Sequence, residues 1–165
     1  MTKVSSGYTR TQILLHWAIA LLVLIQFSGS GGISQMIDDF GVTASSAADI
    51  SLAARLHVFA GITTFVLLIL RLVVRLRAGA PALPEEEAPI MKMIAHATHF
   101  LLYVALFLMP LSGLAGWFGQ VEGALAAHST LRLVLLAFVF LHISGALYHQ
   151  LILKNNLIKR MTFGK

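Results

Sequence analysis

Residues 125–153 read LAAHSTLRLVLLAFVFLHISGALYHQLIL, and this stretch decides the fold. It is an almost unbroken apolar run of the length a membrane-crossing helix needs, about 20 residues or more. It also carries three histidines, His128, His142 and His149. The spacing of 14 residues between the first two makes almost four helical turns and about 21 Å of axis. His128 and His142 therefore share one helical face, towards opposite sides of a hydrocarbon core about 30 Å thick. Two imidazoles stacked in this way along one membrane helix are placed to hold two haems, one above the other. The rest of the chain is read as supplying the opposite ligands, the walls and the electron partners.

Composition agrees with a membrane setting. The 165 residues are 58% hydrophobic and only 12% charged, with a mean hydropathy of +0.83, well outside the soluble globular norm. There is no cysteine. That excludes disulfides, thiolate zinc sites, iron–sulfur clusters and thioether-linked haem, and leaves histidine as the obvious ligand. The net charge of +5 sits at the ends of apolar runs rather than on one face, the pattern of membrane topology and not of nucleic-acid binding.

Working outward, three more spans are expected at about 11–28, 51–76 and 91–116, with the fourth at 125–153. The predicted fold is all-α, a single four-helix transmembrane bundle over 1–165. The first run lacks the small-residue cleavage site of a secretory leader and is read as a retained span, and no soluble domain is expected outside the membrane part. Gly29-Ser30-Gly31-Gly32 stops the first helix. The weakly acidic 33–50 segment is expected to be an exposed loop with a short helix. Pro110 lies within the third span, where a kink is expected. Placing the N-terminus in the cytoplasm leaves only Arg55 and Arg132 of the twelve Lys and Arg residues outside, so both termini are expected inside.

All seven histidines lie in or at the ends of these spans, where ionisable side chains are costly and mark sites. A six-coordinate b-type haem needs two imidazoles from opposing helices. Depth pairs His57 with His128 near the outer side and His16 with His142 near the inner side; His99 or His149 could compete for the inner iron. A zinc or proton pathway would add carboxylates within the membrane, and none lies within any span. Gly61, Gly113 and Gly145 could admit a porphyrin face or simply pack helices closely. Phe59, Phe65, Phe100, Phe107, Phe138 and Phe140 could flank haems or face lipid. Arg10 and Arg75 lie where inner propionates would emerge, against a plain anchoring role. Arg55 and Arg132, each close in sequence to an outer histidine, could steer an anion to the outer haem or snorkel to headgroups.

Four groups of residues carry a resemblance: Tyr8-Thr9-Arg10-Thr11-Gln12-Ile13-Leu14-Leu15-His16-Trp17; His57-Val58-Phe59-Ala60-Gly61 followed by Arg71-Leu72-Val73-Val74-Arg75-Leu76; Ala95-His96-Ala97-Thr98-His99 followed by Tyr103 and Pro110-Leu111-Ser112-Gly113; and His128-Ser129-Thr130-Leu131 followed by Leu141-His142 and His149. In order and spacing they resemble bacterial cytochrome b561 over nearly the whole chain. The resemblance implies a four-helix, di-haem b-type cytochrome of the bacterial inner membrane, with ligand roles at His16, His57, His128 and His142. Some members of that family are superoxide oxidases, which pass electrons from periplasmic superoxide to ubiquinone. Two features depart from that branch: Gln150 stands where a second histidine tends to follow His149, and the outer turn before the fourth span is short.

Three functions follow as expectations. The first is a superoxide:ubiquinone oxidoreductase, with superoxide met near Arg55 and Arg132, and His99 and His149 as hydrogen-bonding and proton-bearing groups for the quinone. The second is a membrane cytochrome b subunit that anchors a periplasmic dehydrogenase or hydrogenase. The third is an electron carrier with no committed substrate.

Overall fold

The computed structural model describes residues 7–28, 52–81, 87–155 and 157–162. They form four long helices, α1 (Arg10–Ser28), α2 (Leu52–Ala78), α3 (Pro89–Trp117) and α4 (Ala124–Leu151), followed by a short 3₁₀ turn at Leu157–Met161. There is no strand among the described residues. Each helix is long and apolar enough to cross a membrane. The fold is thus the expected all-α membrane four-helix bundle. The short helix expected within 33–50 lies outside the described residues.

The helix ends differ from expectation by one or two residues, for local reasons. α1 begins at Arg10 because Thr9 and Gln12 form a reciprocal capping box. The Gln12 N–H donates to Thr9 Oγ1 at 3.2 Å, and the Thr9 N–H donates to Gln12 Oε1 at 2.9 Å. α2 runs on to Ala78 and stops at Gly79, whose φ of +74° suits glycine after a helix. α3 begins at Pro89, in the first-turn position where the missing N–H costs nothing. It continues as one helix through Pro110. α4 ends at Leu151, two residues early, and the chain turns back so that the Asn155 N–H reaches His149 O at 3.2 Å.

The helices run up and down, so the start of α1, the end of α2, the start of α3 and the end of α4 lie together. Gln12 Nε2 donates to Gly79 O at 2.7 Å, and Trp17 Nε1 donates to Met161 O at 2.7 Å. This is the terminal end. The opposite, turn end carries the six-residue connection 118–123 between α3 and α4.

The helices are not packed evenly. α1 lies on α2, α3 lies on α4, and the two pairs meet through α2 and α3. α4 makes at most glancing backbone contact with α1 and α2. The largest buried cluster is Ile19, Val23 and Leu68, on α1 and α2. α4 buries only Leu135 and His149, and no large side chain among the described residues is completely buried. The many exposed Leu, Ile, Val and Phe side chains form the lipid face. Between α4 and the α1–α2 pair the bundle holds an open seam.

Candidate haem-binding seam

Histidines cross that seam. At the turn end, His57 of α2 and His128 of α4 face each other with ring centres 6.0 Å apart and planes at 76°. At the terminal end, His16 of α1 and His142 of α4 stand 6.1 Å apart at 70°. The two α4 members lie on one face, with Leu135 midway between them and buried. His149 continues the same seven-residue stripe.

The turn-end pair opens into an apolar cleft. His57 and Gly61 of α2, Gly113 of α3, and His128 and Arg132 of α4 line it. His128 is held from behind: its Nδ1 lies 2.9 Å from Met109 O and 3.2 Å from Ser112 Oγ. Because Met109 O can only accept, Nδ1 carries the proton, and Nε2 is left as the basic nitrogen. Gly113 lets the ring approach closely. A Cβ there would sit 3.1 Å from His128 Cε1 and 3.2 Å from Nδ1. On the α2 side, Gln26 Nε2 donates to His57 O at 3.2 Å and ties the end of α1 to the start of α2. Arg132 is half-buried within the cleft, while Arg55 is exposed at the same end.

The terminal-end site is more crowded. His99 of α3 joins it, 5.0 Å from His142, with Nδ1 2.6 Å from Ala95 O. Arg71 reaches in from α2: Nε donates to Tyr103 Oη at 3.2 Å and Nη1 donates to Gln12 O at 2.9 Å. Arg75 lies 5.9 Å over the Tyr103 ring, and Arg10 is exposed.

His149 is buried one heptad beyond His142, with Nε2 3.0 Å from Glu87 Oε1 and Nδ1 2.8 Å from Asn155 Nδ2. Of the phenylalanines, Phe59, Phe100, Phe107 and Phe140 are exposed, and the Phe65 ring packs tilted, at 52°, against Phe107 with centres 5.2 Å apart. Arg71, Glu87, Ser112 and Asn155 were not among the candidate site residues. In the sequence Arg71 reads only as one of three arginines, with Arg75 and Arg77, that crowd the end of the second span. Among the described residues no three His, Asp or Glu side chains converge on a bare metal ion; the histidines of the seam are arranged to face one another in pairs.

Comparison with known proteins gives the family. Residues 7–164 match the family model for prokaryotic cytochrome b561. The chain belongs to that family. It is 32% identical to cytochrome b562 of Cereibacter sphaeroides, over 94% of each chain. It is 27% identical to a probable superoxide oxidase, CybB, of Yersinia pestis, over 93% of this chain and 94% of the other. It is 25% identical to cytochrome b561 homolog 1 of Escherichia coli K12, over 93% of this chain and 96% of the other. The protein is accordingly a b561-type membrane cytochrome that transfers electrons. It binds b-type haem and is a multi-pass protein of the bacterial inner membrane.

Proposed function

We propose that this chain holds two haems b, one between His57 and His128 and one between His16 and His142, and oxidises superoxide at the turn end while reducing ubiquinone at the terminal end. The observation that carries this reading is the pair of ring separations, 6.0 and 6.1 Å, across a seam that the helix backbones leave open. Two imidazole nitrogens each about 2 Å from one iron put their ring centres about 6 Å apart. The 5.0 Å between His99 and His142 is too short for that, which favours His16 over His99 as the partner of His142. Bound haem would supply one-electron redox chemistry at each histidine pair.

The chain's own residues then divide the work. Met109 O fixes the His128 tautomer and leaves Nε2 as the nitrogen that would bind iron. Arg132 in the cleft, with Arg55 at the same end, attracts an anion towards the turn-end pair. Leu135, buried and midway in sequence between His128 and His142, sets an apolar side chain between the two pairs. Arg10 and Arg75 are the candidate partners for propionates at the terminal end. Two superoxide anions give two electrons and leave as two oxygen molecules; a quinone takes those electrons with two protons to become the quinol. His99, and the His149–Glu87 pair a heptad beyond His142, are the proton-bearing groups at the terminal end. Arg10, Arg71, Arg75, Arg77, Lys92, Lys154, Lys159 and Arg160 gather there, against Arg55 and Arg132 at the turn end. That imbalance supports cytoplasmic termini and a periplasmic turn end. Similarity to a probable superoxide oxidase supports the donor.

The test is a visible spectrum of the oxidised, haem-loaded protein before and after a superoxide-generating system, with and without ubiquinone. Reduction of a b-type α band by superoxide, relieved by quinone, is the expected result. A haem band that superoxide leaves unchanged would refute the donor and point to a relay for a periplasmic dehydrogenase or hydrogenase.

A further inference from the structure

Arg71 stands a full two turns inside α2, half-buried, with one guanidinium nitrogen on Tyr103 Oη and another on Gln12 O. Both partners are neutral. The described residues include only two carboxylates, Glu87 and Glu122. Glu87 is taken by His149, and Glu122 lies in the turn at the opposite end. A positive charge within a membrane span and without a carboxylate partner among the described residues is costly, and such charges mark function. Gln12 stands one helical turn before His16 on α1, and Tyr103 one turn after His99 on α3. The guanidinium that bonds both is therefore held at the level of the terminal-end histidines. Two hydrogen bonds to separate helices hold it there.

We infer that Arg71 is the fixed charge that raises the reduction potential of the site held by His16 and His142, so that the electron settles at the terminal end. This rests on the di-haem reading above. One-electron reduction lowers the charge of a site by one. A cation held nearby, in surroundings that screen poorly, stabilises the reduced form over the oxidised one. Gln12 and Tyr103 serve as positioning residues: they keep the guanidinium from swinging out to water, where screening would abolish the effect. Charge is the working property, so lysine should largely substitute and glutamine should not.

The experiment is a potentiometric titration of the α band in purified, haem-loaded protein, wild type against Arg71→Gln and Arg71→Lys, with the haem-to-protein ratio measured on each. In Arg71→Gln two haems should remain. One should become about tenfold harder to reduce, equivalent to about 59 mV for one electron, and the other should not move. Arg71→Lys should stay near wild type. Two unmoved potentials in Arg71→Gln would overturn the inference, as would an equal shift in Arg71→Lys, which would assign the effect to the hydrogen-bonding fork. Were Arg71→Gln to lose a haem, Arg71→Lys would decide: two haems at wild-type potentials support the charge, and loss in both variants makes Arg71 structural. A wild-type ratio of one haem would instead refute the di-haem reading, before any potential is compared.

Discussion

The two ends of α4 present the same ligand, an imidazole facing a second imidazole about 6 Å away, to opposite surroundings. At the turn end, His128 meets an apolar cleft walled by Gly61 and Gly113, with Arg132 at its edge. At the terminal end, His142 meets two further imidazoles, His16 and His99, and the same end holds the Arg71 guanidinium on Tyr103 Oη and Gln12 O. The first is open and sparsely polar. The second is polar, crowded and tied down by three helices. A single helix with a seven-residue stripe of His128, Leu135, His142 and His149 thus serves two sites of opposite character, which the proposed function reads as entry and exit. The difference comes from what α1, α2 and α3 bring to each level, not from α4.

The strongest way to break the comparison is to remove ligands one level at a time. His57→Ala or His128→Ala should cost the turn-end haem, and His16→Ala or His142→Ala the terminal-end haem. In each case the haem-to-protein ratio should fall from two to one. His99→Ala should leave the ratio at two, although His99 is nearer to His142 than His16 is. A haem lost with His99 and kept with His16 would reverse the terminal-end pairing.

Next comes the glycine at the turn end. In Gly113→Val the added side chain begins 3.1 Å from His128 Cε1 and grows into the ring. The His128 ring must then leave its bond to Met109 O. Most of the turn-end haem should be lost, with the terminal-end haem retained at its own potential. Redox titration separates the two. Equal loss at both levels would mean that Gly113 matters for packing α3 on α4 and not for the site.

Much of this was legible in the sequence, and the limits have physical causes. The four spans follow from segregated hydropathy, which a bilayer enforces. The His128–His142 register follows from helical geometry along one element, and depth then selected the facing pairs. Contacts between distant positions were not legible. Arg71 reads as an anchoring charge until Gln12, 59 residues away, and Tyr103, 32 residues away, are seen to hold it. Depth alone groups His149 with His99; the contacts of His149 with Glu87 and Asn155 are not legible, because both partners come from segments outside the spans. The seam beside α4 was likewise hidden, because apolar composition does not reveal which helix faces stay apart.

The Glu87–His149 contact sharpens the comparison on stability. Glu87→Ala removes the partner of a buried imidazole and leaves a polar group unsatisfied, which costs about 1–3 kcal/mol. The terminal end should melt at a lower temperature in detergent while both haems remain bound. Loss of the terminal-end haem in this variant would join His149 to the haem site itself.

The smallest effect is expected at Ser112. Its hydroxyl donates to Met109 O at 2.8 Å and lies 3.2 Å from His128 Nδ1. The His128 Nδ1 proton already has Met109 O at 2.9 Å, so Ser112→Ala removes a competitor for that carbonyl and not the ring's main support. The net cost of one such hydrogen bond is about 1 kcal/mol. With Met109 O freed, the imidazole bond should tighten, making His128 a slightly more basic ligand, which favours the oxidised iron. The turn-end potential should therefore fall, by less than the shift expected for Arg71→Gln, with the terminal-end potential fixed. A shift of the same size at both levels would mean that the two ends are coupled through α3 rather than tuned separately, and the contrast between an open entry and a charged exit would have to be rebuilt on that coupling.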